Sequence, residues 1–258
     1  MIFRLKSYIK FLVKSILQPG IHSPFIYGLV SQCFEDTSKK SWYSQIQNYR
    51  NSLLKNKTVI SIEDFGVGSK SLHKSKRRVS KIAKKAGISL KRAQLLGRII
   101  AYFNPKEVLE IGTSVGLATS AMSCTNPSTN VTSLEGCEST ANIAQEYFNK
   151  FDLNNIKIIT GNFDTTLTEV IKQNTFGLIY FDGNHQKEAT IRYFEQCLSN
   201  VHNDSVFIFD DIYWSKGMKE AWQYIRHHPK VVVTVDTFFW GIVFFRKEQV
   251  KEHFVIRT

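Results

Sequence analysis

Four short stretches of this sequence combine acids, glycines and a histidine at spacings that could do chemistry. The first is Glu110-Ile111-Gly112-Thr113-Ser114-Val115-Gly116, which ends an apolar run and precedes a helical pattern. Glycines at a strand exit let the chain turn tightly and let a ligand approach the main chain, and a helix starting there offers free N–H groups. The Gly-x-x-x-Gly spacing departs from the dinucleotide fingerprint Gly-x-Gly-x-x-Gly, and no Gly-Lys-Ser/Thr comes after it, so a P-loop is excluded. Taken alone, the glycines also fit a plain βα turn. The second stretch is Leu134-Glu135-Gly136, about 20 residues on, where an acid at a strand tip can take both hydroxyls of a ribose. A solvated turn acid is the alternative for Glu135.

The third and fourth stretches are Phe181-Asp182-Gly183-Asn184-His185 and Phe209-Asp210-Asp211-Ile212-Tyr213-Trp214. If both end strands of one parallel sheet, Asp182, Asp210 and Asp211 meet at its carboxyl edge, where such folds bind ligands. Three oxygen ligands with open positions suit Mg²⁺. Histidine changes charge near neutral pH, which makes His185 a candidate general base. Other roles stay open: Asp182 can take an ammonium group without any metal, Asp210 can cap the next helix or turn, and His185 can cap a helix.

Those stretches need a scaffold. Apolar runs at residues 107–111, 131–134, 156–160, 178–181, 206–209, 231–235 and 242–245 predict seven strands, with helices between the first six. The last two are too close for a parallel crossover and must be antiparallel neighbours. The expected fold is α/β: a Rossmann-like, mostly parallel seven-stranded sheet with an antiparallel hairpin at its end and helices on both faces.

Ahead of it, residues 1–88 read as a basic, mainly helical extension, and residues 89–258 as the main domain. An amphipathic helix is expected over residues 2–17, stopped by Pro19-Gly20. Ser23 and Pro24 should open a second helix over residues 22–34. Residues 36–58 read as a helix and a loop, and residues 59–71 as a structured loop whose Gly66 and Gly68 suit a cover over the site. Ser89 should cap a helix that Pro105 ends.

The pair EIGTSVG and SLEG resembles the first two motifs of class I S-adenosylmethionine (SAM)-dependent methyltransferases. The longer LEIGTSVGLATSAM is similar to the O-methyltransferases related to catechol and caffeoyl-CoA methyltransferases, and the resemblance spans roughly residues 90–246. It implies SAM as cofactor, with the ribose on Glu135 and Gly136. The methionine part would lie over the motif of Glu110, Gly112, Thr113, Ser114 and Gly116. The adenine would lie beside Asn162 and Phe163, with Phe163 either stacked on it or in the core. Asp182 would sit near the donor. Metal-dependent members carry acids after the fourth and fifth strands, where the cation orients a hydroxyl and lowers its pKa. This chain has Asp211 where Asn is common and His185 where a lysine base is expected. An Asp-x-x-His pattern does occur in related sugar and antibiotic O-methyltransferases. The implied activity is O-methylation of a small-molecule acceptor, with or without a divalent cation. RNA or protein N-methylation is a rival, weakened by Asp182-Gly183-Asn184-His185 where those enzymes carry Asn/Asp-Pro-Pro-aromatic. A catalytically silent module that docks through its basic arm is another.

Charge divides the chain. The net charge is +12, made of +17 over residues 1–106 and −5 over residues 107–258. A basic part of this kind suits RNA, an anionic membrane surface, or a lid and dimer arm whose charge reads an anionic substrate, and a solvated helical face is the plain alternative. No run reaches the roughly 18–20 apolar residues of a membrane-spanning helix, and the lysines of the first 17 residues argue against a signal peptide. Four scattered cysteines form no Cys-x-x-Cys pair. The expected location is the cytoplasm, peripheral at the inner membrane surface if the basic arm binds lipid.

Overall fold

Strands built almost wholly of apolar residues must be covered on both faces. That condition holds here for β6 (Leu178–Phe181) and β7 (Val206–Asp210), in which every residue is buried. The structure is a computed structural model and describes residues 2–16, 18–64 and 73–258. Its main sheet also contains β3 (Glu107–Ile111), β4 (Asn130–Glu135), β5 (Ile156–Thr160), β8 (Val233–Asp236), β9 (Trp240–Phe244) and β10 (Glu252–Val255). The order is β10-β8-β9-β7-β6-β3-β4-β5. Strands β3 to β7 run parallel, and β9 lies antiparallel between β7 and β8.

The α/β, mostly parallel architecture is as expected, with one strand more. β10 joins the edge in parallel with β8. It is only four residues long and has a single buried residue, Phe254, so its alternation is too short to stand out.

One face of the sheet is covered by α2 (Pro24–Leu29), α3 (Tyr43–Lys55), α4 (Val79–Lys85), α5 (Leu90–Phe103), α6 (Leu117–Ser123) and α7 (Glu138–Lys150). The other face is covered by α8 (Phe163–Gln173), α9 (Lys187–Cys197) and α10 (Lys216–His227). α1 (Ile2–Lys14) precedes them all. Ser23 caps α2 by accepting from the Ile26 N–H at 3.4 Å, and the helix runs on as a π-helical turn to Phe34. Ser89 caps α5 through the Arg92 N–H, a contact worth about 1 kcal/mol. Asn104, in the left-handed region, and Pro105 end that helix.

Residues 59–71 differ from the loop expected there. Val59–Asp64 forms β1, paired antiparallel with β2 (His73–Arg78), so this part of the basic extension is a strand pair. Ile60 and Ile62 alternate with Ser61 and pack on the core, which is the period of a strand. The proposed cover at residues 65–69 lies outside the described residues. Among the described residues, no helix is long and apolar enough to cross a membrane.

Candidate functional site

The parallel strands end along one edge, and the turn after β3 is the tightest part of it. Gly112 and Gly116 have φ of +108° and +76°, a region that costs other residues steric strain. A Cβ on Gly112 would stand 2.6 Å from the Asp182 carbonyl oxygen, so this glycine lets the β3 and β6 ends touch. A Cβ on Gly116 would meet the Phe148 ring and the Tyr49 hydroxyl, both at 2.5 Å. Tyr49, fully buried on α3, donates to the Val115 carbonyl at 3.0 Å and pins the loop from the helical side.

Beneath the loop lies a polar chain. Glu110 Oε2 accepts from Thr119 Oγ1 and from Ser133 Oγ, both at 2.5 Å, and Ser133 Oγ also meets Thr113 Oγ1. Burial pushes the Glu110 carboxyl up to about 7, against the pull of those hydroxyls. Its Oε1 is buried and has no partner among the described residues. Tyr180 is its neighbour across the β3–β6 pairing, and the Tyr180 hydroxyl is likewise buried without a partner. Paired residues of parallel strands share a face, so both unmet groups lie on the α5 side of the sheet.

Glu135 ends β4. Its Oε2 accepts the Ser114 N–H at 2.6 Å and its Oε1 the Cys137 N–H at 2.9 Å. The Gly136 N–H adds a third backbone donor. Burial raises the carboxyl, and those N–H groups draw it back. Glu135 is thereby a two-oxygen acceptor locked against the glycine loop. Asn162 caps α8, its Oδ1 accepting from the Asp164 N–H at 2.9 Å. Phe163 sets its ring edge-on to Tyr193 at 6.1 Å and lies 2.7 Å from where a Gly183 Cβ would be, between the core and the site edge.

The acids after β6 and β7 do converge. Burial, and after it the neighbouring Asp210 carboxylate, pushes Asp182 well above the usual range. His185 Nε2 stands 3.5 Å from Asp182 Oδ1. Asp211, at φ +53°, is raised by burial and by Asp210, and the charges of His185, Arg92 and Arg4 oppose this.

The sequence reading missed Arg92. Its Nη1 lies 3.1 Å from Asp210 Oδ1, and its guanidinium stacks over Phe239 at 4.9 Å. The signal was present: Arg92 shares the inward face of α5 with Leu96 and Ile99, and a charge on a buried face needs a partner.

As placed, Asp182, Asp210 and Asp211 do not fit a divalent cation. Asp210 already carries the Arg92 guanidinium at 3.1 Å, a charge that opposes a second cation there. Among the described residues, no group of three potential metal ligands is gathered. The other half of the edge does fit SAM. Glu135 offers a fixed acceptor pair for vicinal hydroxyls, and the unmet Glu110 Oε1 suits an ammonium or a bound water.

A family model described as O-methyltransferase matches residues 68–237. No curated protein matches the chain. Among solved structures, the fold resembles a Podospora anserina methyltransferase bound to S-adenosylhomocysteine, at 14% identity and TM-score 0.62, covering 90% of this chain and 99% of that one. It also resembles a Bacillus cereus O-methyltransferase in complex with S-adenosylhomocysteine, at 17% identity and TM-score 0.56, covering 91% and 99%. A third is a Streptomyces achromogenes O-methyltransferase involved in tomaymycin synthesis, solved with SAM, at 11% identity and TM-score 0.57, covering 84% and 95%. At these identities the likeness shows the fold.

Proposed function

The chain belongs to the O-methyltransferase family of SAM-dependent enzymes, and from this we propose that it methylates a hydroxyl of a small-molecule acceptor held beside Asp182 and His185, with Arg92 as the resident cation of the site. The observation that carries this reading is the contact between the Gly112 turn and the Asp182 backbone. It brings the glycine loop against the turn whose sequence carries Asp182 and His185.

SAM supplies an electrophilic methyl group, so most of the protein's task is positioning and the removal of one proton. Glu135 takes the ribose hydroxyls, with Gly136 at the same strand tip, and the main chain of Gly112, Thr113, Ser114 and Gly116 carries the methionine part. Phe163 and Asn162 border the adenine. Asp182 turns the His185 ring through Nε2, which leaves Nδ1 to accept the proton of the acceptor hydroxyl. The resulting oxygen takes the methyl group as the carbon–sulfur bond breaks, and that bond's electron pair stays on sulfur.

Arg92 neutralises Asp210, which keeps a second full negative charge away from the developing oxyanion. In this reading a guanidinium does by charge part of what a metal does in other members, and no step passes through a bound metal. The test is turnover on a panel of phenolic, enolic and sugar hydroxyls in chelator. Methylated product that forms only after Mg²⁺ is added would refute the metal-free part.

A further inference from the structure

α1 turns its apolar side the wrong way for a helix that serves only the core. Ser7 and Phe11 face inward and are buried. Tyr8 and Phe11 hold Phe238 at ring distances of 4.8 and 5.6 Å, so the helix is fixed in rotation. On the opposite side, at spacings of three and four residues, stand Ile2, Leu5, Ile9 and Val13, which are 53 to 82% exposed. Side chains so spaced share one helical stripe. Lys6, Lys10 and Lys14 climb one flank of that stripe, and no acid occurs before Glu35.

A cavity of about 150 Å³ opens between α1 and α10 on the lysine flank. Lys10, Lys14, Lys219 and Arg226 line it, and Asp236 is the one acid of its lining. That acid is already engaged by the Tyr213 hydroxyl at 2.6 Å and the Phe238 N–H at 2.8 Å. Arg226 Nη1 faces His253 Nε2 at 3.0 Å, while its Nε is buried without a partner among the described residues. The lining therefore carries excess positive charge, which suits a phosphate.

We infer that α1 docks the enzyme on a bilayer rich in anionic phospholipid, with Ile2, Leu5, Ile9 and Val13 entering the boundary between headgroups and acyl chains and a lipid phosphate seated in the Lys10–Lys14–Arg226 cavity. An apolar stripe flanked by lysines is the form of an interfacial helix, and each basic group near an anionic surface adds to the attraction. Arg4 stacks over Trp214 at 4.8 Å, just past Asp211, so the docked helix adjoins the acid cluster. Acceptors carried in the membrane would then reach the site from the bilayer.

The experiment is co-sedimentation of the full chain, without SAM, with mixed phosphatidylglycerol–phosphatidylcholine vesicles and with pure phosphatidylcholine vesicles. The wild type should sediment with the mixed vesicles alone. Leu5→Glu with Ile9→Glu should lower binding by about tenfold or more, and Lys10→Gln with Lys14→Gln should lower it severalfold. Circular dichroism checks that the exposed substitutions keep the fold. Four results overturn the inference: no vesicle binding, binding unchanged in both variants, preference for a structureless RNA over vesicles, or a wild-type dimer that the glutamate variant disperses. Inorganic phosphate that binds at the cavity while vesicles do not assigns the cavity to a free anion and also overturns it. Failure here leaves methyl transfer untouched, since no arm measures it.

Discussion

Arg92 Nη1 lies 3.1 Å from Asp210 Oδ1, and this ion pair spans 118 residues of sequence to put a cation inside the acid cluster. Both side chains are mostly withdrawn from water. Removing one partner of such a pair leaves the other charge unmet, at a cost of roughly 3 kcal/mol.

Arg92 carries expected outcomes for metal binding, stability and turnover. Wild-type protein should give no Mn²⁺ binding by electron paramagnetic resonance, and its turnover should be the same in EDTA as in Mg²⁺. Arg92→Met should lower the melting temperature and cut turnover at least about tenfold. Stoichiometric Mn²⁺ binding to the wild type would show that the guanidinium gives way to a metal.

Glu110 should leave a mark on stability against pH. Burial raises its carboxyl from 4.5 to about 7 in the fold. The folded protein thus keeps a proton that the unfolded chain releases between those values. The stabilisation is complete below pH 4.5 and is lost as pH rises through 7, a change of up to about 3 kcal/mol. Glu110→Gln cannot ionise, so its urea midpoint should fall less than that of the wild type between about pH 5 and 7. Parallel curves would place the titration elsewhere.

Tyr49→Phe removes only the hydroxyl that donates to the Val115 carbonyl. The expected loss is about 1 kcal/mol of stability, with a severalfold weaker affinity for S-adenosylhomocysteine because the glycine loop loses its helical anchor. Unchanged affinity would mean that the loop is held by its own turn.

His185 should separate chemistry from binding. His185→Gln should lower kcat by about 100-fold or more, the ordinary range for a general base, and leave S-adenosylhomocysteine affinity unchanged. A rise in KM at constant kcat would reassign His185 to acceptor binding.

Much of the scaffold could be read from local pattern. β6 and β7 are apolar runs and β3 is mostly so, and together with β4 they give way at the sheet edge to Gly112, Glu135, Asp182 and Asp210–Asp211. β10 escaped notice because four residues beside charged neighbours carry no clear period. β1 and β2 were obscured by the glycines and lysines around them, although Ile60 and Ile62 alternate correctly. Contacts between distant segments were beyond local pattern altogether. Tyr49 reaches Val115 across 66 residues and Arg92 reaches Asp210 across 118. The spacing of the three acids said nothing of the guanidinium that packing brings to Asp210.

Calorimetric titration with S-adenosylhomocysteine asks whether Glu135 and the glycine loop hold SAM. Each charged hydrogen bond is worth about 1.5–3 kcal/mol, so loss of the carboxylate that takes two hydroxyls should weaken binding by about 100-fold. The wild type should show one binding site, insensitive to EDTA, and Glu135→Ala should show that loss of affinity. No heat of binding to the wild type at millimolar ligand, or equal affinity in Glu135→Ala, would contradict it.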